Sequence, residues 1–394
     1  MAKKARIKAT APVNRKSLSR NEREARYRRW LYIGGAGVAA LILAVLAIGL
    51  YQQFVVVPAS PIAIVNNVPI RTDTYQRYVQ YRRYNLQNYI AQVNAQMGQF
   101  DPNDPSQQAL YNYFVQQQQQ LQAEMMNMGP GTLEEMIDNE LIRQEAQRRG
   151  LTVTPDELQI SIEQNFGYDR NPPTPMPTPT PITATAPITV TPEPTTAPMT
   201  EQQFKDLYAT TLQNIKKATG FTESDFRELA MISLLRDKLQ AALAAEVPTR
   251  TEQIHVRDIL LTKEEDAKAA LERIKKGEDF ATVAKEVSTD TATKDNGGDL
   301  GWFPSGQKDP DLEKAAFALQ PGQVSDVIQT ANGFHIIKLE GREANRPLDA
   351  QLLAQKQSSA LNDWLSTQRN SDGVKRFYSS DKVPPPLTPQ PASQ

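Results

Sequence analysis

The chain has 394 residues, room for two or three domains of roughly 100–200 residues each, with 44 Lys+Arg against 45 Asp+Glu and a net charge of −1. That total hides an asymmetry: residues 1–30 carry eleven basic and two acidic side chains, or +9, so the remainder sits at −10 and is ill suited to binding nucleic acid. Cysteine is absent and histidine occurs twice, which excludes a disulfide framework, thiol chemistry, a lipidated-cysteine anchor and a histidine-rich metal centre.

Leu31 to Leu50 is an uncharged, largely apolar run of 20 residues. An α-helix rising about 1.5 Å per residue needs roughly that length to cross the hydrocarbon core. Trp30, Tyr32 and Tyr51 flank it, where amphipathic rings favour the headgroup level. The basic block lies wholly on its amino-terminal side, so the positive-inside bias predicts residues 1–30 in the cytoplasm, a membrane helix over 31–51 and everything beyond outside. A cleavable signal peptide, cut near Val57-Pro58-Ala59, is the competing reading. The 30-residue leader and 20-residue apolar run are both long for one, and the uncleaved anchor is preferred.

Ala63–Ile70 reads as a short strand with an Asn-Asn turn, and helical stretches follow from about Arg71 to Met97, Gln107 to Asn127 and Thr132 to Arg149. In the last of these Leu133, Met136, Ile137, Leu141 and Ile142 form an amphipathic stripe that Gly150 closes. Thr154-Pro155-Asp156-Glu157 predicts an N-cap with Pro at the first helical position. The Gln run at 116–120 with Met125, Met126 and Met128 has two readings, a helix face packed in a core or an adaptable peptide-binding surface. Residues 171–199, rich in Pro and Thr, are unable to bury a core and read as a linker or surface insertion. Helices resume over Glu201–Thr219 and Glu223–Ala245.

From Gln253 the pattern changes. Gln253–Leu261 alternates as a strand, with Ile254, Val256, Asp258 and Leu260 on one face. Helices over Glu264–Lys276 and Asp279–Val287, a glycine-rich turn into Leu300–Phe303, a helix over Leu312–Leu319 and strands over Val324–Thr330 and Gly333–Leu339 complete a βααβαββ order. Such small alternating elements predict a compact α+β domain. A helix over 347–370 ends the ordered part, before a Pro-rich tail.

Three runs carry a resemblance: Gly297-Gly298-Asp299-Leu300-Gly301-Trp302-Phe303, then Ala315-Ala316-Phe317, then Gly333-Phe334-His335-Ile336-Ile337-Lys338-Leu339. In order and at matching spacing, they resemble the parvulin-type (rotamase) peptidyl-prolyl cis-trans isomerases over roughly Gln253–Gly341. More loosely, Ile64–Ile70, the Leu133–Gly150 helix, the Thr154 start and the closing helix resemble membrane-anchored or periplasmic chaperone-foldases, in which a helical peptide-binding module brackets the isomerase domain. The resemblance implies an α+β protein with a transmembrane helix, a mostly helical module over 60–170 and 200–249, the 171–199 insertion, an isomerase domain over 250–342, a helix over 347–370 and a tail over 371–394.

It further implies catalytic roles for His335, for Asp290 before the glycine turn and for Asp258, which stands where the family has a first-strand histidine. His255 lies three residues earlier, on the opposite face. Leu300, Phe317, Lys308 and Leu312 match pocket positions, the last two replacing an expected methionine and phenylalanine, and Thr330 and Asn332 match small polar ones. By residue type alone, His335 on an apolar strand equally fits a hydrogen-bonded core histidine, and Asp258 and Asp290 fit solvated acids. The implied activity, isomerisation of X–Pro bonds in unfolded exported polypeptides, needs neither cofactor nor metal, because the barrier near 18–20 kcal/mol is one of amide conjugation. The alternative is a catalytically weak or inactive parvulin-fold chaperone.

Overall fold

The computed structural model describes residues 20–171 and 198–387. Most of the predicted basic tail, nearly all of the Pro/Thr-rich insertion and the end of the Pro-rich tail lie outside the described residues. Helix α1 (Arg20–Tyr51) carries the apolar run, and its stretch Tyr27–Tyr51 is long and apolar enough to cross a membrane. A short α2 (Val57–Ala59) leads into β1 (Pro61–Val65) and β2 (Val68–Arg71). These two strands form a hairpin, where a single strand was expected. Asn66 and Asn67 take the left-handed φ of 48° and 71° that a two-residue hairpin turn demands, and Asn tolerates them better than most residues.

Helices α3 (Thr72–Met97), α4 (Gln108–Met126), α5 (Met128–Arg148) and α6 (Pro155–Asn165) follow. Helix α5 starts before the predicted Thr132, because Pro130 falls in the first turn, where a missing N–H costs nothing. Helix α6 opens on a full capping box: the Thr154 hydroxyl accepts from Glu157 N–H, and the Glu157 carboxylate accepts from Thr154 N–H. Then come α7 (Glu201–Thr219), α8 (Glu223–Glu246), β3 (Arg250–Leu261), α9 (Glu264–Lys275), α10 (Phe280–Val287), β4 (Asp299–Phe303), α11 (Pro310–Ala318), β5 (Ile328–Thr330), β6 (Gly333–Pro347), α12 (Ala350–Arg369) and β7 (Val374–Arg376).

The chain divides into two units, one of residues up to 137 with 206–223 and 372 onward, the other of 138–205 and 224–371. In the first, β1 is central in a three-stranded sheet of order β2-β1-β7. Strand β7 falls inside the stretch expected to be tail. Its three residues read as a strand only because Val65, Ile64 and Ala63 offer a free edge to Val374, Lys375 and Arg376. Tyr78 and Tyr81 of α3 pack their rings on Phe221, at 5.3 and 4.2 Å between centroids.

In the second unit, four antiparallel strands run in the order β4-β3-β6-β5. Strand β3 puts Ile259 and Leu261 on one face, against Ala267, Leu271, Phe280 and Val283 of α9 and α10, with Ile336 from β6. The other face holds Ile254 and Val256 with Ile337 and Leu339, covered by Leu312 and Ala316 of α11. By the period of two, Asp258 and His335 belong to the α11 face. The expected strand over 324–330 is regular only from Ile328, preceded by an isolated bridge of Val324 with Lys338. Ser325 interrupts it: its hydroxyl donates to the Asp326 carbonyl and accepts from Ile337 N–H.

Candidate active site

Two central strands place the polar residues of the site. In the register of β3 with β6, Asp258 lies opposite Ile337 and Leu260 opposite His335, so Asp258 and His335 are diagonal neighbours on one face. Their side chains meet, with Asp258 Oδ2 2.8 Å from His335 Nδ1. On the ring's other side, Nε2 is 3.0 Å from the Thr330 hydroxyl, which in turn accepts the Asn332 N–H at 3.1 Å. The result is a continuous Asp258–His335–Thr330–Asn332 line, in which Nδ1–H donating to the carboxylate and Nε2 accepting from the hydroxyl satisfies every step.

The line is deeply set. Asp258 is 4% exposed and His335 6%. Burial pushes the Asp258 carboxyl above its ordinary range. The bond to His335 and the charge of Lys308 oppose that rise, and the charge of Asp290 adds to it. Asp258 Oδ2 has its partner, but Oδ1 is buried without one. A tight backbone holds this carboxylate in place. Asp258 N–H donates to the Gly298 carbonyl at 2.8 Å, and at Gly298, with φ of 73°, a side chain would strike the Asp258 carbonyl oxygen. This close approach accounts for the second glycine of the Gly-Gly turn.

Asp290 stands at the edge of this group. Its carboxylate accepts from the Thr293 hydroxyl and from Ala292 N–H, closing the turn into the glycine loop, and its charge reaches Asp258. Around the polar line, Leu300, Phe317 and Ile328 are partly buried hydrophobics packed on the core of the α11 face. Leu312 differs from the expectation of a pocket residue. It is 4% exposed and belongs to the core itself, supporting the surface from beneath. Lys308 is exposed, its ammonium 5.5 Å from the centre of the Phe303 ring. His255 lies elsewhere, with Nε2 2.7 Å from Asp299 Oδ1 and its ring stacked on Trp302, as the strand alternation requires.

One residue of weight was missed. The Glu313 carboxylate, 8% exposed, gathers the N–H groups of Gly306, Gln307 and Lys308 at 2.8, 2.6 and 2.7 Å and the Ser305 hydroxyl at 3.2 Å. Burial alone would raise this carboxyl, but these donors outweigh it and hold it below the usual range. Glu313 therefore fixes the loop that carries Lys308. An acid in the first turn of α11, behind a Gly-containing loop, is the one sequence signal that pointed to it. Ser288 was missed as well: its hydroxyl accepts N–H from both Leu260 and Asp290, tying β3 to the turn. Among the described residues, no three His, Cys, Asp or Glu side chains converge as metal ligands would.

Residues 260–341 match the model of the rotamase family, the PPIC-type peptidyl-prolyl isomerase domain. They are a parvulin-type isomerase domain.

The chain is 34% identical over 191 residues to the foldase protein PrsA of Caldanaerobacter subterraneus, covering 43% of this chain and 62% of that one. It is likewise 34% identical over 190 residues to foldase protein PrsA 2 of Listeria monocytogenes, covering 46% and 64%. A solved peptidylprolyl isomerase (PrsA) from Bacillus anthracis aligns over 61% of this chain and 90% of that one, at 24% identity and a TM-score of 0.29. The chain is thus similar to the PrsA foldases over part of its length, and it spans somewhat less than two thirds of the length of these curated relatives.

Proposed function

We propose that the protein is a membrane-anchored extracytoplasmic foldase that catalyses cis-trans isomerisation of X–Pro bonds in unfolded exported polypeptides. In this reading α1 is an uncleaved anchor, with residues 1–30 in the cytoplasm. The helical module comprises 60–170 and 200–249, and the isomerase domain 250–342. The observation that carries the reading is the buried Asp258–His335–Thr330 line beside the apolar surface of Leu300, Phe317 and Ile328, inside a domain of the rotamase family.

The chemistry asks for little. As an X–Pro bond twists, the amide loses conjugation and its nitrogen becomes basic, so a surface that grips the ring and polar groups that suit the twisted form lower the barrier. Phe317, Leu300 and Ile328 offer the apolar grip. His335 and Thr330, held in one orientation by Asp258 and Asn332, offer the polar edge. Lys308 and Asp290 bring opposite charges to its rim. The deciding experiment is an X–Pro isomerisation assay on the full chain in detergent, with His335→Ala beside it. Catalysis above background that falls about tenfold or more in the variant supports the reading, and no catalysis on any of several X–Pro peptides refutes it.

A second reading, a chaperone with a weak isomerase domain, has its own observation. Tyr89, Leu110, Tyr113 and Met126 of α3 and α4 are 43–80% exposed, a supply of apolar contacts for unfolded chains. Client protection from aggregation by a chain that is silent in the isomerisation assay would favour it.

A further inference from the structure

The carboxy-terminal segment of the first unit is seated on helix α3 in a definite way. After β7, Phe377 N–H donates to the Ile62 carbonyl, a short turn spans Ser380–Lys382, and Val383 turns extended at φ −71° and ψ 126°. Those angles are close to polyproline II. Residues Val383-Pro384-Pro385-Pro386-Leu387 then run along α3, with Pro384 buried. Three side chains of α3, at positions i, i+4 and i+7 and so on one stripe, donate to the backbone of this segment. Gln76 Nε2 reaches the Lys382 carbonyl at 3.0 Å, Gln80 Nε2 the Pro385 carbonyl at 2.8 Å, and Arg83 Nη1 the carbonyls of Pro384 and Pro385 at 2.6 and 2.8 Å.

The floor of the seat is shaped as well. A Cβ at Gly129 would stand 3.0 Å from both the Tyr378 hydroxyl and Val383 Cγ2, and 3.1 Å from the Tyr75 hydroxyl, so a larger residue would crowd this corner. Two polar atoms here are buried without a partner, the Tyr75 hydroxyl and Gln80 Oε1. Oε1 belongs to the same amide that grips Pro385, and a run of prolines has no N–H to give it. A buried acceptor left unsatisfied is destabilising. The tail thus fills the seat without satisfying it, whereas an extended segment that mixes prolines with ordinary residues can supply the missing donor.

We propose that the Gln76–Gln80–Arg83 stripe of α3 is a receptor for extended proline-containing segments of client polypeptides, with the chain's own tail as its displaceable resident. This is a second proline-recognising surface, distinct in residues from the isomerase site, and it rests on the foldase reading only for the source of the client. It grips the polyproline backbone through its carbonyls, which every residue of such a segment carries.

The test uses the full chain in detergent and a fluorescein-labelled peptide of sequence Asp381–Leu387, read by anisotropy. The tail double variant Pro384→Glu/Pro385→Glu vacates the seat and binds the probe about tenfold or more tighter than the wild type. Adding Arg83→Ala removes about tenfold of that affinity, and a probe with its three prolines replaced by alanine binds comparably weakly. Equal affinity of wild type and tail variant, or indifference to Arg83→Ala, overturns the proposal.

Should the tail variant fail to fold, trypsin cleavage after Lys382 in the wild type decides. Excess probe accelerates it if the tail is displaceable and leaves it unchanged if the tail is a fixed clamp, which also overturns the proposal. A wild-type dimer that Arg83→Ala dissolves would assign the seat to the tail of a second copy instead. X–Pro isomerisation measured on the same preparations is independent of Arg83, so failure of the foldase reading and failure of this one are told apart.

Discussion

Two carboxylates of the isomerase domain, one on strand β3 and one on helix α11, are both little exposed and end with their carboxyls shifted in opposite directions. Asp258 is 4% exposed and Glu313 8%. The Asp258 carboxylate has one hydrogen-bond partner, His335, and an unpaired Oδ1, and its carboxyl is pushed up. Glu313 collects three backbone N–H groups and a hydroxyl, and its carboxyl is held down. Asp258 is both the deeper of the two and the poorer in donors, and both differences favour its protonated form over that of Glu313. Glu313 is accordingly a structural anchor that works as an anion, while Asp258 is kept at higher energy beside the histidine it orients. Under-satisfied polar groups of this kind concentrate where chemistry is done.

The comparison can be broken most readily at Glu313. Glu313→Ala leaves three backbone donors without their acceptor and is expected to cost roughly 2–3 kcal/mol, read as a lower denaturant midpoint with an unchanged slope. Asp258→Asn removes a buried charge while keeping an acceptor for His335, and should change stability by less than about 1 kcal/mol in either direction. Equal losses for the two would abolish the distinction.

Stability against pH sharpens it further, because the two signs differ. The Glu313 carboxyl is lowered on folding, so its contribution is present above the ordinary glutamate value of about 4.3 and is lost as pH falls through its folded value. The Asp258 carboxyl is raised, so its contribution is present below the ordinary aspartate value of about 3.9 and is lost as pH rises through its folded value. Denaturant titrations between about pH 2.5 and 7 should therefore show the wild type losing its advantage over Glu313→Gln at the acid end. Relative to Asp258→Asn, the wild type should lose ground as pH rises. The smallest effect is at Lys308. Lys308→Met removes a charge poised over Phe303 and restores an apolar rim, with an expected rise of about two- to threefold in kcat/KM, well short of the tenfold that 1.4 kcal/mol represents.

The sequence shows what is local and hides what is made by return of the chain. The Thr154 N-cap with Pro155 behind it, the alternation of β3 and the Gly-Gly turn were legible because each is written within a few residues. Strand β7 was not, since Val374–Arg376 becomes a strand only against β1, more than 300 residues away. The cluster under Glu313 was hidden for the same reason on a smaller scale: its donors are backbone groups, which every residue has, and only the folded loop aims them at one carboxylate. His335, Asp258 and Thr330 were named only through the resemblance, and their joining into one line follows from the β3–β6 and β5–β6 registers. Leu312 was misplaced because a pocket position and a core position read alike when both are apolar.

The central claim is that the Asp258–His335–Thr330 line works on a proline bond. It is tested most directly by NMR exchange of a short X–Pro peptide in the presence of the full chain, comparing wild type, Asp258→Asn and His335→Ala. The account predicts exchange well above the uncatalysed rate for the wild type, a partial loss for Asp258→Asn, which still holds the ring, and a loss of about tenfold or more for His335→Ala. Exchange by the wild type that survives His335→Ala undiminished would contradict it.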